Sequence, residues 1–427
     1  MQFSKLCPNL ARYSRLNNMA WWKNKQLWPA FWVLGCLLLV ALARDILANG
    51  RPLYCRIQGE TFYPGLRTVW TDPDLPYHHP VLDSIQSNFL WRRFPYEAAV
   101  FAPVPFSPGE LPMSPDTTVL SARPGAVHPG PQPVFRHWLG TDSNGYDIAA
   151  GLVSGARVAV LTGLLAMGLA FSVGLLLGAM AGFWSDDRLR LRRAQVWLLL
   201  LGLLPAWFYA TVCAKLAPDS AGAGRSIVLP VLVFFLVLLI FNSVGKLLSR
   251  WKGLAQPVLI PVDLLVMRLA EVFTSIPGLL LIVALAAILP NQSIWAMIGL
   301  IGIIAWPGFA RFIRSEMLRI RELDYIHAAR GIGLREWQIL LRHALPNAMS
   351  PAYTALAFGI AEAIMIEAGL SFLGYGANSL QGATWGSLLQ NARSNPQLWW
   401  MSLPPGLAIC VCILALHRIG DALNERR

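Results

Sequence analysis

Apolar residues gather in long runs along this chain, and the polar residues between the runs form short, mostly basic clusters. A helix needs about 20 mostly apolar residues to cross the hydrocarbon core of a bilayer. Runs of about that length lie at residues 27–43, 158–183, 194–214, 226–245, 272–289, 294–312, 351–370 and 399–417. The fifth and sixth form one uncharged stretch, divided at Pro290–Asn291 because Pro-Asn favours a turn. The pattern predicts an all-α integral membrane protein with about eight transmembrane helices.

Composition agrees. The chain is 55% hydrophobic and 14% charged, where a soluble domain carries about a quarter charged residues. The net charge of +12 could suggest nucleic-acid binding, but the basic residues sit in clusters between apolar runs. Lysine and arginine held on the cytoplasmic side of a membrane distribute in that way, so the implied partner is the lipid bilayer and no nucleic acid. With the N-terminus inside, the inner loops carry Arg188, Arg190, Arg192 and Arg193, then Lys246, Arg250 and Lys252. The third carries Arg311, Arg314, Arg319, Arg321, Arg330, Arg335 and Arg342, and Arg426 and Arg427 end the chain. The outer hairpins hold only Arg225 near Pro218, and Arg393 in the last. A multi-pass protein with cytoplasmic N- and C-termini follows. Lys5, Arg12, Arg15, Lys23 and Lys25 precede the first run without an acidic residue, and that run is long enough to remain as an anchor instead of a cleaved signal.

Residues 49–156 break the pattern. They are rich in proline and aromatics, and Gln58–Gly59 predicts a turn between two short strands. The segment is expected to lie against the outer mouth of a channel instead of folding alone. Of the cysteines Cys7, Cys36, Cys55, Cys213, Cys410 and Cys412, only Cys55 is expected on the outer side, and Cys410–Cys412 has no zinc spacing. His78, His79, His128 and His137 lack ligand spacing and read as solvated loop residues, so no metal site is implied.

The most informative segment is "ELDYIHAARGIGLREWQILLRHALPNAMSP", residues 322–351. It predicts two short amphipathic helices joined at Gly333, with Ile326, Ala329 and Ile332 as one apolar stripe and Trp337, Leu340 and Leu341 as the other. Pro346 marks the re-entry into the membrane. The hairpin is too polar to span, and its apolar face has no evident cover in this chain, which is the profile of a docking surface.

These residues resemble the EAA loop of ABC importer permeases. Ala328, Ala329, Gly333, Leu345 and Pro346 stand at the family spacing, while His327 replaces the usual Glu and His343 the usual Ile. Both departures, with Arg330 and Arg342 beside them, resemble the dipeptide and oligopeptide branch. "HWLGTDSNGYD" (137–147, Tyr146 where Arg is usual), "EAGLSFLGYG" (367–376) with Trp385–Gly386, and "PPGLAI" and "IGDAL" toward the C-terminus resemble the same branch in the same order. The stretch after the first span resembles, more weakly, a long-loop subgroup associated with oligopeptides and microcin-type peptides.

The resemblance implies a type I ABC importer permease fold with a large periplasmic loop in a bacterial inner membrane. Six spans are usual, so residues 194–253 read as an inserted hairpin, placed peripherally because its runs lack small-residue packing motifs. The implied organisation is a tail (1–26), first span (27–48), periplasmic loop (49–156), second span and cytoplasmic loop (157–193), inserted hairpin (194–253) and permease core (254–427) containing the coupling loop (322–350). Implied partners are two ABC ATPase subunits, a second homologous permease and a periplasmic substrate-binding protein. Coupling falls to Ala328, Ala329, Arg330, Gly333, Arg342, His343, Leu345 and Pro346, and the cargo is a peptide or peptide-like solute, the alternative being a solute such as a nickel complex.

Asp263, Arg268 and Glu271 read as an interfacial amphipathic helix. Glu362 and Glu367 are candidates for the translocation pathway, since a carboxylate within a span is rare without a partner or water; Glu367 is expected near the outer end, within reach of water. "AGAGRS" (221–226) does not match a phosphate-binding loop, so no cofactor is implied here and ATP would be bound and hydrolysed by partner subunits. The chain offers no catalytic constellation, and a secondary transporter should show repeated halves, which are absent from the sequence.

Overall fold

The computed structural model describes residues 27–70, 76–77, 79–87, 91–109, 119–128, 135–186, 190–216, 223–249, 256–288, 293–376 and 383–424. The readings that rest on Lys5 to Lys25, Cys7, His78, Arg188, Pro218, Ala221–Gly222, Arg250, Lys252, Pro290–Asn291 and Arg426–Arg427 fall outside these residues.

Every apolar run but the one at 272–289 lies on one helix. The first is α1 (Trp28–Leu42), followed by the short α2 (Arg44–Leu47). The long loop contributes β1 (Tyr54–Ile57), β2 (Glu60–Phe62), α3 (Pro64–Trp70), α4 (Pro80–Ser87), β3 (Ala98–Val100), β4 (Ala126–Val127) and β5 (Arg136–His137). Helix α5 (Ile148–Trp184) starts well before its apolar run because Asp147 caps it, Oδ1 accepting from the Ala150 N–H at 2.8 Å. Then come β6 (Arg190–Arg192), α6 (Arg193–Leu216), α7 (Ala223–Leu248) and β7 (Pro257–Leu259). The rest is α8 (Val262–Thr274), α9 (Gly278–Ile288), α10 (Ile294–Ile320), α11 (Asp324–Gly331), α12 (Glu336–Ile339), a π turn (Leu340–Ala344), α13 (Leu345–Phe372), α14 (Trp385–Ala392) and α15 (Trp399–Asn424).

The span expected at 272–289 is not one helix. Helices α8 and α9 are interrupted at Ser275, Ile276 and Pro277, where the proline ring removes a donor and pushes the preceding residue out of helical geometry. Five helices among the described residues are long and apolar enough to cross a membrane, or six if the broken pair is one span; Trp28–Leu42 and Leu232–Leu248 are shorter apolar helices.

Two compact units divide the chain: Met1–Leu175 with Phe273–Phe312 and Leu345–Arg427, and Leu176–Val272 with Ile313–Ala344. In the first, Ala159, Ile364, Trp385, Cys412 and Leu416 form a core against which Leu34, Leu37 and Val40 of α1 pack. The long loop, also in this unit, has a sheet in the order β2-β1-β3. Its β1–β2 turn falls at Gln58 (φ 53°) and Gly59 (φ 83°), the expected place, with the two positive φ values of a tight hairpin. The segment has a small core of Cys55, Ile57, Leu82, Ile85 and Trp91, edged by Arg51 over Trp91 (5.4 Å) and Arg67 over Tyr77 (4.3 Å).

In the second unit, α6 and α7 form the helical hairpin foreseen at 194–245. It does use small residues: a Cβ at Gly202 would lie 2.8 Å from the Phe241 ring. Gln195 Nε2 donates to Asn242 Oδ1 at 3.1 Å, while Leu204 and Trp207 face outward. At the base of the hairpin, Arg190–Arg192 is not loop but strand, pairing antiparallel with Pro257–Leu259.

Candidate functional site: a coupling hairpin and an apolar cavity

The hairpin after α10 belongs to the second unit and is built as its sequence suggests. Helix α11 carries Asp324 in its first turn and Arg330 in its last, each of the sign that the helix dipole favours. It ends in a Schellman motif: the Gly333 N–H donates to Arg330 O (2.9 Å) and the Leu334 N–H to Ala329 O (3.2 Å). Gly333 has φ +83°, and nothing lies within 4 Å of where its Cβ would stand. Glycine is therefore required by backbone conformation and not by crowding.

Two helices across a glycine turn need a brace. Arg330 Nε and Glu336 Oε1 meet at 3.0 Å, joining α11 to α12. Ile326, Ala329, Ile339, Leu340 and Ala344 are buried, whereas Ala328, Trp337 and Leu341 are exposed and Ile332 is 78% exposed. The two predicted stripes are thus each split between an inward and an outward part. The hairpin rests on the end of α5: the largely exposed Trp337 keeps one edge against Trp184 at 4.4 Å, and the Arg330 guanidinium lies 5.8 Å from the Phe183 ring. Arg314 of α10 forms a two-pronged ion pair with Asp263, which is 8% exposed, and Asp186 accepts from the Leu264 N–H at 3.2 Å. The interfacial helix read from Asp263, Arg268 and Glu271 is present as α8. Asp263 is nevertheless an interior ion-pair partner, while Arg268 and Glu271 pair with each other in the open.

Arg342 and His343 lie in the π turn, followed at once by Leu345 and Pro346 at the start of α13. Pro346 cannot donate to the carbonyl four residues back, and that residue, Arg342, is in the π turn. Pro346 thus continues the helical run and does not begin a separate one: Glu336–Phe372 forms a single apolar helical stretch.

The first unit holds two further features. The "HWLGTDSNGYD" block forms a buried polar knot. Asp142 Oδ1 accepts from the Asn144 and Tyr146 N–H groups (2.9 Å each), and Oδ2 accepts from Asn391 Nδ2 of α14 at 2.9 Å. Burial raises the Asp142 pKa above the usual carboxylate value, against the pull of these donors. His137, expected to be solvated, is 2% exposed; its Nδ1 lies 2.8 Å from Asp147 Oδ2 and its ring stacks on Phe106 at 4.1 Å. His128 Nδ1 stands 3.3 Å from His137 Nε2, and burial, with help from Arg92 and His137, lowers the His128 pKa to about 4. Among the described residues, no three His, Cys, Asp or Glu side chains gather as a metal site.

The second feature is a cavity of about 670 Å³ lined by Met167, Ile282, Ile301, Phe309, Phe358 and Glu362, among others. Glu362 faces it. Glu367, expected to reach water, is instead 2% exposed and accepts a hydrogen bond from Ser371 Oγ at 2.7 Å. Sequence reasoning missed the hairpin's anchors; the only signal was an aromatic pair, Phe183–Trp184, at the end of an apolar run.

Set beside known proteins, residues 259–427 match the family of binding-protein-dependent transport system inner membrane components. This region contains the hairpin and the helices around it, and the chain resembles ABC permeases along most of its length. It is 26% identical to the inner membrane ABC transporter permease protein YejE of Escherichia coli (strain K12), over 99% of this chain and 97% of that protein. It is 24% identical to the peptidoglycan transport system permease protein YejE of Agrobacterium fabrum (strain C58), over 94% of this chain and 89% of that protein. A Brucella suis biovar 1 (strain 1330) protein provisionally named a peptide permease is 27% identical over 74% of this chain and 78% of its own length. The protein is therefore a transport component of the inner membrane.

Proposed function

We propose that this chain is the permease subunit of an ATP-driven importer for di- or oligopeptides or peptide-like solutes, with both termini in the cytoplasm. The observation that carries the reading is the braced hairpin, which holds Ile332, Trp337 and Leu341 outward on a rigid support. An apolar patch with a fixed shape, uncovered among the described residues of its own unit, suits insertion into a groove of another protein. In this reading an ATPase subunit receives it, with Ala328, Ala329, Arg330, Gly333, Arg342, His343, Leu345 and Pro346 setting its form. A second permease and a second ATPase complete the assembly, and a periplasmic binding protein delivers cargo.

Closure of the ATPases would pull on the hairpin, and Trp184 and Phe183 would pass the movement to α5 as a rigid-body displacement. ATP is bound by the partners; this chain supplies the lever and the path. The peptide cargo is supported by the names of the relatives, two of which specify peptide or peptidoglycan transport.

The test is cross-linking. A cysteine at Ile332, on an otherwise cysteine-free chain and alkylated with a maleimide that carries a photoreactive group, should cross-link on illumination to one ATPase subunit that copurifies from membranes, and a cysteine at buried Ile326 should not. Copurification without an ATPase, or equal labelling at both positions, would remove the basis for the reading.

A further inference from the structure

Glu362 lies near the middle of α13, and every other side chain on its cavity is uncharged. Among the described residues no cation pairs with its carboxylate and no donor hydrogen-bonds to it. A carboxylate on an apolar wall keeps its charge only where water or a cation meets it. Glu362 is exposed on the cavity, so water meets it at rest, and among the described residues of this unit no cation does; a cation entering the cavity would take that place.

The walls say what else the entrant needs. Ile282, Ile301, Phe309 and Met167 offer apolar surface without polar discrimination, and the cavity volume of about 670 Å³ is within the usual range of small-molecule sites, roughly 300–1,000 Å³. Phe309, Phe312 and Phe358 also line the cavity, the Phe358 ring packing against His417 and Gly420 of α15. A lone anion in a cavity with apolar and aromatic walls favours a cation such as an ammonium group through Coulomb attraction. The packing behind it is firm: the position of a Gly359 Cβ would be 2.9 Å from the Phe309 ring.

We propose that Glu362 receives the α-ammonium group of a peptide in transit, while the apolar walls accept its body without reading its side chains. This rests on the import reading above and adds to it a specificity-determining residue. A peptide blocked at its N-terminus would bring no charge to offset the carboxylate, and so would leave Glu362 unpaired in the cavity.

The experiment measures uptake of a radiolabelled tripeptide and of its N-acetylated form in whole cells. The cells carry the wild-type chain, Glu362→Gln or Glu362→Asp at the native locus, so the binding protein is the same throughout. The wild type is expected to prefer the free amine. In Glu362→Gln that preference should shrink by on the order of tenfold or more, the value of a charge-assisted hydrogen bond. Glu362→Asp should keep it with a raised KM.

An unchanged preference in Glu362→Gln overturns the proposal and leaves the importer reading intact. Equal loss of both peptides, with loss of the assembled complex from membranes, would mean that Glu362 pairs with another subunit, and also overturns it. If Glu362→Gln fails to accumulate, Glu362→Asp decides, an unchanged KM and preference counting against the proposal. Uptake of neither peptide by the wild type removes the peptide reading itself, and this inference with it.

Discussion

At the scale of single residues, space constrains Gly386, and burial governs His128 and Asp142. Gly386 follows Trp385 in α14, and a Cβ there would stand 2.2 Å from Ala368 O. Gly386→Ala is expected to push α14 away from α13 at a cost of roughly 1–3 kcal/mol, as overpacking does elsewhere. The measurement is the thermal unfolding midpoint in detergent, which should fall; an unchanged midpoint would mean that the helices part freely. His128 makes a pH prediction. Its pKa is lowered from 6.5 to about 4, so the folded state resists protonation and the unfolded state does not. Stability contributed by the neutral ring is complete above pH 6.5 and is lost as pH falls toward 4. Asp142, shifted upward by burial, acts in the opposite sense, since the fold gains as its carboxyl takes up a proton. The His128 part is isolated by His128→Asn, which should flatten the decline in melting temperature between pH 6.5 and 4 relative to wild type.

At the scale of elements, the Asp263–Arg314 pair ties α8 to the end of α10 within one unit. Asp263→Ala and Arg314→Ala should each lower the melting temperature, because each leaves a partly buried charge without its partner. The double variant should lose little beyond either single one, giving a coupling of about 1–3 kcal/mol. Additive losses would show that the two charges act independently. This pair also marks the limit of what the sequence revealed. Helices were legible because long apolar runs need no partner to be recognised, and the hairpin was legible because Gly333, Pro346 and the spacing between them are local signals. Helix ends were not: α5 starts at a cap, Asp147, and α8 and α9 separate at Pro277, both governed by a few backbone hydrogen bonds that hydropathy does not register. Asp263 was read as interfacial because its partner lies far along the chain, and Glu367 as water-reaching because burial depends on Ser371 and the surrounding helices. His137 misled for the same reason: only the fold brings Asp147 and Phe106 to it.

At the scale of the molecule, a membrane-embedded helical chain carries a rigid hairpin that presents apolar side chains and a cavity with one carboxylate among its described lining residues. In the proposed function the hairpin transmits ATP-driven movement to the spans. Gly333 isolates that role, since its Cβ would meet nothing and only the left-handed backbone of the turn demands glycine. Gly333→Val therefore strains the turn by about 1–2 kcal/mol or more without touching the apolar helices, which should still insert. The most direct measurement is peptide uptake by proteoliposomes holding the complete importer, supplied with ATP and the binding protein, with wild type and Gly333→Val at equal membrane abundance. The variant is expected to insert and assemble but to import little or no peptide. Import at the wild-type rate would show that the hairpin does not couple ATP to transport.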